Sequence, residues 1–326
     1  SSDVCSSDLN DPAASLIERV LGEFPGVNAR LIIAKKATDS AQKIANLREA
    51  VLHADDRSEV FVFVDSDARP SPSWLRYLIA PLEDSDIGAA SGYRWFIARR
   101  STFAAELCSV WNASIASALG PNPGANFCWG GSTAIRRDVF GRLAMREKWA
   151  GTLSDDFVLT SVVRDGGLGI AHVPQALNPT VEDLTFAGLL EFTTRQMKIT
   201  RVYMPHLWVM SFVGSAIFCV VMIWAVVLVA SPGVSEFGFW AAIATIVIVT
   251  AASVGKSWLR LKAVRLALPQ YAAELRRQFW PQNTLWLLSP PLFLYNSIAA
   301  AMSRTLVWRG IKYRLNSATE TVIIRD

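Results

Sequence analysis

Two carboxylates follow directly after an apolar run of strand length, in the segment Val60-Phe-Val-Phe-Val-Asp65-Ser-Asp67. Carboxylates at the end of a buried strand are costly unless they are compensated, so Asp65 and Asp67 are expected to meet a cation. A hard divalent ion held by one or two carboxylates and by substrate phosphates is the usual arrangement. The alternative is structural, because Asp-Ser-Asp also forms turns that cap a following helix.

A second acidic pair, Asp155 and Asp156, stands at the start of a segment with helical apolar spacing. Asp155 or Ser154 is suited to cap the helix, whose N-terminus favours negative charge. One carboxylate of the pair is then surplus to capping. A carboxylate placed at the mouth of a site can act as the general base that removes a proton from an attacking hydroxyl, and Asp156 is the candidate.

Two consecutive glycines, Gly130 and Gly131, lie between the acidic segments and are followed by Ser132. Glycine lets the backbone approach a ligand closely, although an ordinary glycine turn explains the pair equally well.

Helix and strand patterns alternate through the part of the chain that carries these residues. Residues 12–21 and 42–52 have helical spacing, residues 29–34 are a short β-branched run, and Val60–Val64 is typical of a strand that a parallel sheet buries on both faces. This alternation predicts an α/β layer architecture with ligand groups at the carboxyl ends of the strands. We assign residues 10–205 to this domain.

Long apolar runs dominate residues 206–303, which we assign to a transmembrane domain. Residues 207–230 and 237–255 carry no charge and suit spanning helices of about 20 residues. A third run, residues 285–303, contains Pro290-Pro291 near its centre, which predicts a broken or re-entrant segment. Basic residues flank the runs on the side of the α/β domain, so this domain is expected in the cytoplasm of a multi-pass protein of the cell (inner) membrane.

Composition supports a membrane protein and excludes other classes. The chain of 326 residues is 52 % hydrophobic and 18 % charged, with a net charge of +4. Its basic excess falls among the apolar runs, where it suits membrane flanks and not a nucleic-acid surface, so we expect no nucleic-acid partner. The four cysteines have no CxxC spacing, which argues against a zinc site and a disulfide framework.

The two ends of the chain carry separate expectations. Residues 1–9 lack a methionine and an apolar core, and we interpret them as a non-native or truncated start. Residues 304–326 contain two strand-like runs around Gly310, which predict a cytoplasmic tail hairpin. A tail anchored at the membrane interface is the alternative.

Taken in order, these motifs resemble the family-2 glycosyltransferases of the GT-A fold, and most closely their membrane-bound, ceramide-glucosyltransferase-like branch. The resemblance covers roughly residues 12–205. It implies a Rossmann-like nucleotide-sugar domain, a nucleotide-diphosphate sugar donor of the UDP-glucose type, and a lipid acceptor of the ceramide or glycolipid class. It also implies Mg²⁺ or Mn²⁺ as cofactor.

The resemblance assigns a role to each matching residue. Asp65 and Asp67 hold the metal and bind donor, Lys43 and Asn46 lie near the nucleotide, and Asp156 is the base. The acceptor side comprises Gly130, Gly131, Ser132 and Asp155, with Arg136, Arg137 and Asp138 in the same loop region.

Two features depart from the family pattern. The family's first strand has no evident counterpart, so we expect it to be missing. The family's (Gln/Arg)xxArgTrp motif reads Arg195-Gln-Met-Lys198-Ile199 here. Arg195 and Lys198 retain charges that suit the leaving diphosphate, whereas anchoring at the membrane surface is the alternative for both.

The sequence therefore predicts an inverting glycosyltransferase that uses a nucleotide sugar and a membrane lipid within the lipid bilayer. One alternative is a processive polysaccharide synthase, although two continuous spans and one broken span make a poor channel. A non-catalytic membrane scaffold that kept the fold is the alternative of another class.

Overall fold

The computed structural model describes residues 2–6 and 12–324. The described strands are β1 (Ser2–Ser6), β2 (Ala29–Ile33), β3 (Val60–Val64), β4 (Ile87–Ser91), β5 (Arg94–Ile97), β6 (Ser132–Arg136), β7 (Gly169–His172), β8 (Asn178–Val181), β9 (Thr305–Trp308), β10 (Ile311–Ser317) and β11 (Glu320–Ile324). The described α-helices are α1 (Pro12–Glu23), α2 (Gln42–Ala50), α3 (Trp74–Ile79), α4 (Phe103–Ala116), α5 (Arg137–Arg142), α6 (Met145–Lys148), α7 (Asp155–Asp165), α8 (Phe186–Tyr203), α9 (Pro205–Ala230), α10 (Glu236–Ala267), α11 (Ala272–Arg277), α12 (Phe279–Thr284) and α13 (Ser289–Met302).

A mixed four-stranded sheet lies at the centre of the α/β domain, in the order β3-β6-β4-β7. β6 runs antiparallel to β3 and β4, whereas β4 and β7 are parallel. β3 packs on both faces, as its apolar run predicts: Phe61 and Phe63 meet one apolar cluster, and Val60 and Val62 meet another. The expected parallel neighbour is wrong, since β6 is antiparallel. A continuous apolar strand reports burial of both faces but not the direction of its neighbour.

Two parallel strand pairs accompany this sheet, β1 with β2 and β5 with β8. β1 places Ser2 opposite Ala29 and Ser6 opposite Ile33. It falls in the segment that we interpret as a non-native or truncated start, where the sequence predicts that a first strand is missing; the structure has a strand there. Five mostly polar residues are too few for a periodic signal. Residues 1 and 7–9 of that segment lie outside the described residues.

Three described helical segments are long and apolar enough to cross a membrane: Pro205–Ala230, Glu236–Ala267 and Phe279–Met302. In the first two, only 11 % and 6 % of the most apolar stretch is buried inside the protein, as expected for surfaces that face lipid. α10 extends beyond the uncharged run 237–255, and its final turns bury Leu261 and Val264 against Trp95 of the α/β domain.

The third apolar segment breaks at a different place from the one predicted. A 3₁₀ turn at Leu285–Leu288 separates α12 from α13, and Pro290 stands in the first turn of α13. Proline lacks an N–H group that the first helical turn does not need, so Pro290-Pro291 begins the helix and does not interrupt it.

Both flanks of this third segment contact the α/β domain. Before it, Leu275 is fully buried beside Trp95. After it, Leu306 packs into the core that contains Ile135. Along its length, α13 packs against α8, where Asn296 accepts hydrogen bonds from Thr193 and Thr194. The segment therefore lies along the α/β domain and has both flanks on it.

The tail is a three-stranded antiparallel sheet, β9-β10-β11, whereas the sequence predicts two strands. The β9–β10 turn places Arg309 and Gly310 at positive φ. Tyr313 and Leu315 are almost fully buried in the core of the α/β domain, and the backbone N–H of Thr321 donates to Gly151 O. The tail thus packs on the α/β domain, which does not support the alternative of a simple interfacial anchor.

Candidate active site

Lys43 joins two of the predicted acidic segments. Its Nζ atom lies 2.9 Å from Asp65 Oδ1 and 3.2 Å from Asp155 Oδ2. α2 supplies Lys43, the loop after β3 supplies Asp65, and the first turn of α7 supplies Asp155. Three elements that are distant in the sequence therefore place one ammonium between two carboxylates.

Burial and charge shift the ionisation of this pair. Only 8 % of the Asp155 side chain is exposed, compared with 28 % for Lys43. Burial raises the pKa of Asp155 to about 6, because loss of solvent and the neighbouring carboxylates outweigh the effect of Lys43. Burial lowers the pKa of the Lys43 ammonium, but Asp155 and Asp65 reverse the effect, so its pKa lies above the usual value. Lys43 is therefore charged at neutral pH.

Asp156 differs from its neighbour, because it is more accessible and makes no contact with Lys43 within ion-pair distance among the described residues. Its Oδ1 accepts a hydrogen bond from the backbone N–H of Phe157 at 2.8 Å and another from the Ser154 hydroxyl. Ser154 also caps α7 by accepting from Phe157. Asp156 is thus held at a helix N-terminus with one carboxylate oxygen fixed by these donors.

Gly130 and Gly131 stand against the same carboxylates. A Cβ atom on Gly131 would lie 2.6 Å from Asp65 Oδ2 and would collide with the ring of Trp129. A Cβ atom on Gly130 would collide with the carboxylate of Asp155 and would lie 2.9 Å from Lys43 Nζ. The two positions require glycine because they lack space for a side chain. The structure therefore brings Gly130, Gly131, Lys43, Asp65 and Asp155 together.

The other predicted residues of this group have varied surroundings. Asp67 is exposed on the loop after β3. Asn46 lies one turn after Lys43 on α2, where its Oδ1 accepts from Gln42 Nε2 at 2.9 Å. Ser132 is fully buried, and its hydroxyl accepts from Trp74 Nε1 at 2.8 Å. The same hydroxyl donates to Ala176 O at 3.4 Å, so the partners of the Ser132 side chain lie on α3 and in the turn after β7.

Arg136, Arg137 and Asp138, which the resemblance places on the acceptor side, are not part of this cluster. The register of β3 and β6 pairs Val64 with Ser132 and Val60 with Arg136. A strand of this length spans about 13 Å, which separates Arg136 from the end where Asp65 follows Val64. At the far end, Arg136 donates to Leu82 O and Arg137 donates to Asp55 O.

Arg195 and Lys198 lie on α8, beside the tail. Lys198 Nζ donates to Thr305 O at 2.6 Å, and burial lowers its pKa. The Arg195 guanidinium lies 5.6 Å from the ring centroid of Phe192 and 6.0 Å from that of Trp308. Lys198 therefore links α8 to the tail through a hydrogen bond, whereas Arg195 lies between two aromatic rings.

Arg94 on β5 is a further cation beside the site that the motifs did not predict. Its Cζ atom lies 5.6 Å from the ring centroid of Trp129, next to Gly130, and its Nε donates to Asn112 Oδ1 at 3.4 Å. Phe96 and Phe192 also flank the guanidinium, at 5.2 Å and 5.0 Å. The sequence does contain a signal for Arg94: it stands between two aromatic residues, Tyr93 and Trp95, which are buried in the structure. A single charged residue in such a strand is uncommon and therefore marks a candidate functional residue.

The donor chemistry fits a divalent ion that shares its coordination with a substrate. Asp65 and Asp67 offer hard carboxylate oxygens on one loop, which suit Mg²⁺ or Mn²⁺. Within residues 12–324, no group of three or more His, Cys, Asp or Glu side chains is placed to hold a metal. An ion at this loop would therefore take its remaining ligands from phosphate and water.

The comparison with known protein families agrees with this arrangement. The family model "Glycosyl transferase family 21" matches residues 4–321 of the 326-residue chain. The match includes the α/β domain, the apolar helices and the tail as far as the start of β11. It confirms the resemblance to the ceramide-glucosyltransferase-like branch and the expectation of glycosyltransferase activity. The chain belongs to glycosyl transferase family 21.

Proposed function

We propose that this glycosyltransferase transfers a sugar, with inversion, from a nucleotide-diphosphate sugar of the UDP-glucose type to the hydroxyl of a membrane lipid of the ceramide or glycolipid class. The observation that supports this proposal is the convergence of Asp65, Asp155 and Lys43 beside the Gly130-Gly131 backbone. Carboxylates from the loop after β3 and from the first turn of α7 meet beside two glycines, whose lack of a side chain allows this close approach to the backbone.

The chemistry assigned to the site is a single displacement. The acceptor hydroxyl oxygen attacks the anomeric carbon, and its new bond forms as the bond from that carbon to the diphosphate oxygen breaks. Asp156 takes the hydroxyl proton, and the nucleoside diphosphate leaves with the bonding electron pair. Asp156 is suited to this role because it is the more accessible acid of its pair and has a fixed orientation.

Lys43 has a positioning role in this proposal. Its ammonium holds Asp155 and Asp65 in place, and it hydrogen-bonds Gly130 O at 3.5 Å. Arg195 is proposed to face the leaving diphosphate. Arg94, beside Trp129, is proposed as a second cation that stabilises the negative charge of the diphosphate. Lys198 and Asn46 are proposed as outer donor-side residues, and Ser132 supports the acceptor side through the sheet.

A divalent ion is part of the proposal. Asp65 and Asp67 would hold Mg²⁺ or Mn²⁺, which supplies neutralisation of the negative charge on the diphosphate. The protein side chains bind and orient the donor and remove the proton of the acceptor hydroxyl.

The proposed fold class is the GT-A type with a Rossmann-like donor half, and the proposed location is the cell (inner) membrane with the α/β domain in the cytoplasm. The parallel pairs β4–β7 and β5–β8 and the loop carboxylates after β3 support the fold assignment. The exposed apolar helices support the membrane location.

A donor panel tests the function. Membranes that contain the protein are incubated with radiolabelled nucleotide sugars, and the products are separated into lipid extract, high-molecular-mass polymer and free sugar. Label in the lipid extract from one donor is expected, with loss of label for Asp156→Asn. Label confined to polymer would support a processive polysaccharide synthase instead. No transfer from any donor would favour a non-catalytic scaffold.

A further inference from the structure

A cavity of about 640 Å³ lies among α4, α9, α10 and α13, away from the candidate active site. One part of its lining is apolar and includes Val110, Met210, Phe218, Trp286 and Phe293. Met210 is also 67 % exposed on the outer surface of α9, so the apolar part borders the face that meets lipid.

The other part of the cavity is polar and positively charged. Lys256 and Arg260 line it together with six serines, Ser114, Ser211, Ser215, Ser253, Ser257 and Ser289. Ser289 is 6 % exposed, and its Oγ has no hydrogen-bond partner among the described residues. The Nε atom of Arg260 is likewise buried and without a partner in the described part of the chain.

The positive charge of Arg260 has neutral partners only. Its guanidinium donates to Ala113 O, Ser117 Oγ, Ser257 Oγ and Gln282 Oε1. No acidic side chain occurs among the described residues that line the cavity. A partly buried charge without a counter-ion is costly, whereas a bound anion would neutralise it and use the unpartnered Ser289 Oγ and Arg260 Nε groups.

The position of Lys256 in the sequence indicates how deep the cavity lies in the membrane. It is the first charged residue of α10 after the uncharged run 237–255. Basic residues at the end of a span lie at the level of lipid headgroups, where they attract anionic lipid. The cavity therefore has cations and hydroxyls at headgroup level and apolar walls beside the acyl region.

α4 separates this cavity from the candidate active site. Val110 and Ser114 line the cavity and lie four residues apart, hence on one face of the helix. Asn112 lies between them on the opposite face, where it accepts from Arg94 and donates to Arg94 O. The cavity and the site with Arg94 and Trp129 thus occupy opposite sides of one helix.

We propose that this cavity binds the phosphate headgroup of an anionic phospholipid that is neither donor nor acceptor. Lys256 and Arg260 neutralise the phosphate, Ser289 and the Arg260 Nε–H donate hydrogen bonds to its oxygens, and an acyl chain lies along Met210 and Phe218. The inference does not depend on the proposed donor or acceptor.

The test uses the full chain in phosphatidylcholine nanodiscs. Photoactivatable phosphatidylglycerol and photoactivatable phosphatidylcholine with the same acyl chains are compared, and the labelled peptides are identified by mass spectrometry. We expect the anionic lipid to label peptides of α9, α10 and α13 preferentially. We expect Lys256→Gln and Arg260→Gln each to weaken labelling about fivefold, the effect of one cation near a charged surface.

Lys262→Gln is the matched control, because Lys262 is exposed on α10 and contacts Trp258 outside the cavity. Its labelling should equal that of the parent. Lys256 is exposed, so Lys256→Gln tests the charge even if Arg260→Gln fails to fold. Equal labelling by neutral and anionic lipids, or labelling unchanged by Lys256→Gln, would overturn the proposal. Displacement of the lipid by millimolar inorganic phosphate would show a free-anion site and overturn it as well.

Discussion

Asp155 Oδ2 lies 3.2 Å from Lys43 Nζ, and this contact joins the first turn of α7 to α2 at the centre of the candidate site. The two residues are far apart in the sequence. The contact makes the ionisation of a buried carboxylate depend on one lysine, which leads to a pH-dependent stability.

Lys43→Met should destabilise the protein more at pH 8 than at pH 5. The substitution leaves Asp155 buried without its cation, and breaking a buried pair in this way costs about 3 kcal/mol. The pKa of Asp155 is already raised to about 6, and loss of Lys43 raises it further. A carboxyl whose pKa is raised on folding favours the folded state at low pH and loses that contribution as pH rises through the folded pKa. The defect should therefore shrink on acidification.

Thermal unfolding of the protein in detergent at the two pH values measures this effect. Lys36→Met is the control, because Lys36 is an exposed lysine before the same helix. Lys43→Met combined with Asp155→Asn should recover much of the loss at pH 8. An equal loss of stability at both pH values would contradict the argument.

Asp156→Asn should reduce turnover by about 10²- to 10⁴-fold and leave donor affinity nearly unchanged. Asparagine keeps an oxygen for the Phe157 N–H and the Ser154 hydroxyl but cannot take the acceptor proton. Initial rates and donor titrations separate the two effects. Asp138→Asn, at the far end of β6, is the control. A larger loss of turnover for Asp155→Asn would move the base to that residue.

Gly131→Ala should lower kcat/KM about tenfold or more, because the new methyl group displaces Asp65 or Trp129. Gly141→Ala is the matched control: no atom lies within 4 Å of the added Cβ, and alanine within α5 favours the helix. Kinetics of both variants provide the comparison. Unchanged activity in Gly131→Ala would mean that the cluster has room that the structure does not show.

Chelation should abolish binding of a nucleotide-sugar donor, and Mg²⁺ or Mn²⁺ should restore it in the parent but poorly in Asp67→Ala. Calorimetric titration with the nucleotide sugar measures the affinity, and Asp138→Ala controls for loss of an exposed carboxylate. The Asp65–Ala68 backbone hydrogen bond forms a turn in this loop. Donor affinity that does not respond to chelator would leave this turn as the only role of Asp-Ser-Asp.

Both flanks of the third apolar segment should face the cytoplasm. Leu275 and Leu306 are buried against the same domain on either side of the segment, and basic residues lie on both flanks. A variant without the four native cysteines receives single cysteines at three exposed positions, Glu236, Ala263 and Ser317. Each is tested in intact cells with a membrane-impermeant thiol reagent. Glu236→Cys should react, and the other two should not. Reaction at Ser317→Cys as well as at Glu236→Cys, with Ala263→Cys unreactive, would require a complete crossing.

Local pattern was enough to locate the apolar helices, the strand Val60–Val64 and the two acidic segments. These features depend on hydropathy, periodicity and residue type within a short window, and the first two apolar runs and β3 were found nearly where the structure has them. The start of α13 just before Pro290 was accessible in principle, since proline suits a first helical turn, but Pro290-Pro291 within the run 285–303 was interpreted as a break.

Only the tertiary structure decided which chemical groups meet. An apolar strand has the same pattern beside a parallel or an antiparallel neighbour, so the register that places Asp65 near Gly131 and Arg136 at the far end could not be predicted. The Lys43 bridge depends on the packing of α2 against α7 and the β3 loop. Lys198 was assigned to a diphosphate from its motif, yet its contact with Thr305 arises because the tail folds back. Contacts between distant segments follow from strand pairing and packing, which no short stretch of sequence encodes alone.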